Sequence, residues 1–233
     1  MENKFFSDIS FFCPAYNDEK NLPDLIPAVH GFLSRVAEKF EIIIIEDGSP
    51  DKTGKVADEL ALQFSNVRVI HHLGNLGYGA ALKDGFANAQ YEYVMYTDGD
   101  YQYDVNDFEP YLHLLPEADV LSGYAVKKAV NFQRKIQSAV FNFLVNVLFL
   151  VNFKDVNCSM KIYKRKVLKA ISIKSNSAFI DAEMLIRARK KGFKIAQFPV
   201  IHYERKTGIA SGSKFNVIAD TVRDMIRFRL GLM

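Results

Sequence analysis

The chain has 233 residues, 49% of them hydrophobic and 24% charged, a globular balance that excludes a disordered or low-complexity protein. Two cysteines, Cys13 and Cys158, are too few for a disulfide framework, and their apolar surroundings predict buried, reduced thiols. The net charge of +3 hides an asymmetry: residues 1–122 hold 8 Lys/Arg and 21 Asp/Glu, whereas residues 123–233 hold 22 and 6.

The first half alternates strand and helix. Residues 9–13 are a short apolar run closed by Pro14, a buried strand ending in a loop. Residues 21–39 carry Leu22, Leu25, Ile26, Val29, Phe32, Leu33 and Val36 at helical spacing, with Asn21 as N-cap and Pro23 in the first turn. Ile42–Ile45 is β-branched throughout, as a strand buried on both faces requires. A helix over 53–64, a strand over 67–71, a helix over 77–89 and a strand over 93–97 continue the pattern. The alternation predicts an α/β fold, a doubly wound and mostly parallel sheet flanked by helices. Strands are expected at 120–124, 161–163 and 195–200, and helices at 129–150, 182–191 and 215–230. No repeat or linker interrupts the chain, so one domain over 1–233 is expected, with an acidic half to about 122 and a basic half beyond it.

No charged amino-terminal region precedes an apolar run and a cleavage site, and the most apolar run, 139–151, is short of the roughly 20 residues that cross a bilayer. A cytoplasmic protein is expected, touching a membrane at most on its face. The 139–151 helix and the terminal helix, with Met225, Ile226, Phe228 and Leu230 among Arg223, Arg227 and Arg229, suit an anionic membrane, a core or a dimer interface equally. The basic residues are spread through helices without a nucleic-acid motif, so no nucleic-acid partner is expected.

Ligands of such sheets bind beyond the carboxyl ends of the strands, and three acidic loops lie there: Pro14-Ala15-Tyr16-Asn17-Asp18-Glu19, Glu46-Asp47-Gly48-Ser49-Pro50-Asp51 and Thr97-Asp98-Gly99-Asp100. Asp98 and Asp100, one glycine apart, can face a hard cation such as Mg2+ or Mn2+ that leaves positions for phosphate oxygens. An Asp-Gly turn has the same spelling, and the strand before it and the neighbouring acidic loops decide for the metal. Asp47 fits either a ligand contact to base or ribose, or a turn carboxylate. The glycines of 75–81 fit phosphate binding or close packing equally. Asp181 and Glu183 at a helix start are candidates for a general base or for dipole-favoured residues of a first turn. His202, Arg205 and Lys206 open a Gly/Ser-rich stretch, 207–213, able to bring cations to phosphates.

Together PAYNDE, EDGSPDKT, NLGYGAALKDGFANA and YTDGD resemble, in order and approximate spacing, family 2 glycosyltransferases of the A-type nucleotide-sugar fold. The resemblance runs from 10 to about 230 and is closest to the polyprenyl-phosphate, dolichyl-phosphate mannose synthase-like branch. It implies an inverting, metal-dependent glycosyltransferase, of hexosyltransferase type, taking a sugar from a UDP- or GDP-linked donor. It implies a nucleoside pocket at Pro14, Ala15, Tyr16, Glu19 and Asp47, and metal and donor diphosphate at Asp98, Gly99 and Asp100. Arg134, Arg205 and Lys206 face phosphates, and Asp181 and Glu183 the acceptor, a polyprenyl phosphate; a glycan or small-molecule acceptor, or a non-catalytic nucleotide-sugar binder, are the alternatives. The chain departs from the branch where Gly-Phe-Arg is replaced by Ser159-Met160-Lys161 and an Arg by Ala125.

Overall fold

The computed structural model describes residues 4–205 and 215–233. Seven strands, β1 (Phe6–Ala15), β2 (Ala37–Glu46), β3 (Val67–His71), β4 (Tyr93–Tyr96), β5 (Val120–Lys128), β6 (Lys161–Lys164) and β7 (Ile195–His202), form one sheet in the order β3-β2-β1-β4-β6-β5-β7. Every neighbouring pair is parallel except those of β6, which runs antiparallel to β4 and β5. The helices are α1 (Leu22–Val36), α2 (Thr53–Gln63), α3 (Tyr78–Asn88), α4 (Phe132–Phe149), α5 (Arg165–Ala170), α6 (Ile180–Lys190) and α7 (Phe215–Arg229), with a 3-10 helix at Val105–Leu114.

The four isoleucines of β2 show how the sheet is covered. Alternate side chains of a strand point to opposite faces. Ile42 and Ile44 enter a core with Leu25, Ile26 and Val29 of α1 and Ala57 and Leu60 of α2. Ile43 and Ile45 enter a second core with Leu82 and Phe86 of α3, Phe149 of α4 and Leu185 of α6. Both faces are therefore dry, and β2 needs apolar residues at each position. Helix α3 sits so close to β1 that a Cβ at Gly85 would stand 2.1 Å from Phe12 Cδ2.

The expected elements are present, with boundary differences that have local causes. The first helix stops at Val36, not 39, because Ala37 already pairs with Phe6 across β1 and β2. Asn21 stands at the N-cap position of α1, but its side chain donates to Asp18 Oδ1 (2.8 Å) instead of capping the helix. The helix expected from 129 begins at Phe132, where the Asn131 side chain accepts from the Arg134 N–H at 2.9 Å. The 3-10 helix was not expected: Pro110 within it breaks the helical spelling, while Val105, Phe108 and Leu112 still bury. Helix α5 spans six residues, too few for a periodic signal. Among the described residues no helix is long and apolar enough to cross a membrane.

Candidate active site

The carboxyl ends of β1, β2 and β4 lie side by side, and backbone bonds tie their loops together. The Asp47 N–H donates to Ala15 O (3.0 Å) and the Gly99 N–H to Pro14 O (3.1 Å). A Cβ at Gly99 would stand 2.6 Å from Pro14 O, so only glycine permits this approach. Asp18 folds the first loop: its carboxylate accepts from the Tyr16 N–H (3.0 Å) and Asn21 Nδ2, and its own N–H donates to Thr53 Oγ1 (2.8 Å). Tyr16 itself is partly exposed, while Glu19 accepts from the Lys52 N–H at 3.0 Å.

Asp47 is buried and organises the segment leading into α3. It accepts from the N–H groups of Leu76 (2.8 Å) and Gly77 (2.9 Å), and from His72 Nδ1 (2.7 Å). The other nitrogen of His72 reaches Asp84 Oδ2 at 2.9 Å. Burial alone would lower the His72 pKa, but the bonds and charges of Asp47 and Asp84 outweigh it and raise it. Gly48, at φ +64°, lets the same turn lie against the backbone of Gly74.

The aspartate pair follows β4. The Asp98 N–H donates to Ser159 Oγ (3.2 Å), and Asp98 Oδ1 is buried without a hydrogen-bond partner. Burial first, then the charge of Asp100, then that of Asp181 push the Asp98 carboxyl up to about 7. Asp100 accepts from the Gln102 N–H (3.1 Å) and pairs with Arg205, whose Nε is buried and unpartnered. Tyr101 turns the chain away at φ +54°, a conformation unusual for a non-glycine residue. Two all-oxygen side chains, one with an orphaned buried oxygen beside a like charge, fit a hard divalent cation. Among the described residues no three His, Cys, Asp or Glu side chains come together as a metal cage by themselves.

The model for glycosyl transferase family 2 matches residues 10–172, well over half of the chain. The chain belongs to glycosyl transferase family 2. It is 30% identical over 237 residues to glycosyltransferase AglD of Haloferax volcanii, covering 97% of this chain and 36% of that protein. It is 29% identical over 208 residues to dolichyl-phosphate beta-glucosyltransferase ALG5A of Trichomonas vaginalis, covering 82% of this chain and 64% of that one. The chain thus spans less than two thirds of the length of either relative. Glucosyl-3-phosphoglycerate synthase from Mycobacterium tuberculosis, solved with Mn2+, uridine diphosphate and glucosyl-3-phosphoglycerate, superposes with a TM-score of 0.74 at 17% identity, covering 97% of this chain and 80% of that chain. That likeness establishes the A-type fold of the family.

The other residues expected in a family 2 site are placed variously. Asp181 is buried and accepts from Tyr78 OH (3.0 Å), Tyr96 OH and Lys161 Nζ (2.7 Å). Its charge reaches Asp98. Glu183 is fully buried and turned to its own surroundings, accepting from the N–H groups of Lys174 (3.0 Å) and Ser175 (2.7 Å) and from Arg187 Nε (2.7 Å). Arg134 lies in the first turn of α4, and Lys206 lies outside the described residues. Tyr78, Tyr96, Ser159, Lys161 and His72 were not expected here. Nothing in their local spelling marks them, since their partners lie far along the chain, 103 residues away for Tyr78 and Asp181.

A groove of about 640 Å3 runs between the end of β5 and α4, lined by Lys127, Lys128, Lys135 and Lys154 with Ala139 and Phe153. Lys128 pairs with the buried Asp155 at 2.8 Å. His202 links the two regions, for the charges of Asp100, Lys128 and Asp155 all act on it. Burial is the largest influence and lowers its pKa.

Proposed function

We propose that the chain is an inverting, metal-dependent glycosyltransferase that moves a hexose from a UDP- or GDP-linked donor to a polyprenyl phosphate. It works as one domain, the half to about residue 122 supplying the nucleoside pocket and the metal-holding aspartates, and the half beyond it supplying the acceptor side and the cations that face the donor diphosphate. The observation that carries this reading is the link between the aspartate loop and the lysine groove at the end of β7, where Tyr203 exchanges hydrogen bonds with Gln102 and His202 pairs in register with Lys128. An acidic site suits a cation and its diphosphate, and a basic one suits an acceptor phosphate. The family and the lipid-phosphate acceptor named for the Trichomonas relative support the same assignment, as do the Mn2+ and uridine diphosphate of the mycobacterial fold neighbour.

Pro14, Ala15, Tyr16 and Glu19 border the nucleoside. Asp47 acts there by shaping the 74–77 segment, since the protein already engages both of its oxygens. Asp98 and Asp100 hold Mg2+ or Mn2+, which when bound offsets the charge developing on the leaving diphosphate. Arg205 and Lys206 bring positive charge to that diphosphate, and Arg134 with the groove lysines to the acceptor. An acceptor phosphate is ionised at neutral pH and attacks without a general base. Asp181 and Glu183 are buried and filled by donors, so Asp181 acts by building the site and Glu183 by holding the 174–175 segment and Arg187 around its own helix.

The exposed apolar side of α4 and the arginines of α7 lie against the cytoplasmic face of a membrane in this reading, where such an acceptor resides. The test is transfer from UDP-glucose and GDP-mannose, with Mn2+, to undecaprenyl phosphate or to an oligosaccharide. Labelled lipid from one donor, lost with Asp100→Asn, is the expected result. Label entering only the oligosaccharide would replace the acceptor, and no transfer by any combination would leave a nucleotide-sugar binder.

A further inference from the structure

Among the described residues Lys161 is the one Lys or Arg in the buried set, with no exposed surface at all. Its ammonium donates to Asp181 Oδ1 (2.7 Å), to the Tyr96 hydroxyl oxygen (3.1 Å) and to the Cys158 carbonyl, which uses all three protons. The Tyr96 hydroxyl also donates to Asp181 Oδ1, and the Tyr78 hydroxyl to Asp181 Oδ2 at 3.0 Å. The charge of Asp98 also acts on the Tyr78 hydroxyl. One strand further in, Lys161 is the direct cross-strand partner of Tyr96, two residues before Asp98. Ser159, two residues before Lys161, receives the Asp98 N–H. The segment entering β6 therefore holds the backbone of the aspartate loop through Ser159, and β6 itself holds the end of β4 before that loop through Lys161 and Tyr96.

For stability alone this is a poor arrangement. Taking an ammonium and a carboxylate out of water costs several kcal/mol each, and apolar residues of similar volume hold a core at least as well. What an apolar pair cannot supply is a fixed charge behind a cluster of carboxylates. The charges of Asp100 and Asp181 both act on Asp98. Arg205 pairs with Asp100 from one side, and Lys161 pairs with Asp181 from the other. Of the three carboxylates, Asp98 is the one with a buried oxygen, Oδ1, that no hydrogen bond engages.

We propose that Lys161 is a positioning residue of the donor site: by clamping Asp181 it sets the Tyr78 hydroxyl against Asp98 and holds the open Asp98 oxygen toward an incoming cation. The inference rests on the reading of Asp98 and Asp100 as the cation-holding pair. It makes Asp181 the acceptor that Lys161 and Tyr78 share.

The experiment follows Mn2+ uptake by the loss of its free-ion electron paramagnetic resonance signal, in the presence of UDP and, separately, GDP. Metal-free nucleotide affinity is measured in parallel by calorimetry. Groups that orient metal ligands change metal affinity roughly 10–100-fold when lost. Lys161→Met and Tyr78→Phe are expected to weaken Mn2+ uptake at least about tenfold and leave metal-free nucleotide affinity unchanged, with Lys161→Arg within about threefold of wild type. Tyr78→Phe removes one hydroxyl and keeps the ring, so it decides the matter even where Lys161→Met does not fold. Wild-type Mn2+ uptake by Tyr78→Phe, or a Lys161→Met protein with a lowered melting point and normal uptake, would overturn the proposal. Uptake by Lys161→Arg as weak as that by Lys161→Met would also overturn it. A wild-type protein that takes up no Mn2+ with either nucleotide would bring down the reading of the donor site itself.

Discussion

Both oxygens of Asp47 are engaged by the protein, and so are both ring nitrogens of His72, which stands between Asp47 and Asp84. A histidine with a carboxylate on each side is stabilised in its charged form, and its pKa in the folded chain is raised from the ordinary 6.5. The linkage has a definite sign. Protonated His72 adds stability that is fully present below pH 6.5 and lost as pH rises through the raised, folded-state value. Between about pH 6 and 8.5, wild type should therefore lose more unfolding free energy than His72→Gln, as read from urea midpoints at each pH. Equal losses would mean that His72 is neutral between its two carboxylates. His71, paired with Glu46 and Asp58, is shifted the same way but is nearly half exposed, so solvent screens it; it is present in both proteins and cancels in the comparison. At this scale the sequence shows Asp98 and Asp100, because their spacing and the strand before them are local. It does not show His72 or Lys161. A histidine after a strand and a lysine at the start of one acquire meaning only from carboxylates 25 and 20 residues away.

Elements were far more legible than contacts. The four isoleucines of β2 announce a strand covered on both faces, and the apolar spacing of α1 announces its buried stripe, because each pattern lies within a single element. The antiparallel course of β6 has no such local sign. Its direction follows from the route of the chain between β5 and α5, and that reversal brings Ser159 and Lys161 to the end of β4. Packing between α3 and β1 is the element-level support of the site. Phe12 lies against Gly85, stacks on Tyr96 at 5.3 Å between ring centroids, and Tyr96 in turn bonds Asp181. Gly85→Ala forces a methyl group into the Phe12 ring, an overpacking expected to cost about 1–3 kcal/mol in denaturant unfolding. The displaced ring presses on Tyr96, so Mn2+ uptake should weaken with it. A Gly85→Ala protein as stable as wild type would show that α3 can slide away from β1 at no cost.

At the scale of the molecule, the acidic first half of the sequence supplies the aspartates and the basic second half the lysine groove. The sequence alone leaves 139–151 open between core, dimer and membrane. The structure turns Val145 and Phe149 of α4 inward, while Phe132, Ile136, Val140, Phe143 and Val147 form an exposed stripe along the helix. Phe143 keeps 65% of its surface and Phe132 77%, far from the burial of a core helix. Lys135 of the groove adjoins this stripe, and Phe149 packs on Phe228 of α7, where exposed Ile226, and Leu230 just past the helix, stand among Arg223, Arg227 and Arg229. Apolar side chains rimmed by cations gain from both acyl chains and anionic headgroups. Sedimentation with vesicles is therefore expected when they contain phosphatidylglycerol, much less when they are pure phosphatidylcholine. Raising salt from about 0.1 M to 1 M shortens the Debye length from about 10 Å to 3 Å and should release part of the bound protein, leaving the apolar share. Phe143→Ser with Val147→Ser removes two side chains that are already exposed, so the fold should keep its melting point while vesicle binding falls. If instead these serines convert a dimer to a monomer in light scattering and vesicle binding is unmoved, the stripe is an interface between two copies of the chain, and the acceptor lipid must reach the groove without α4 lying on the membrane.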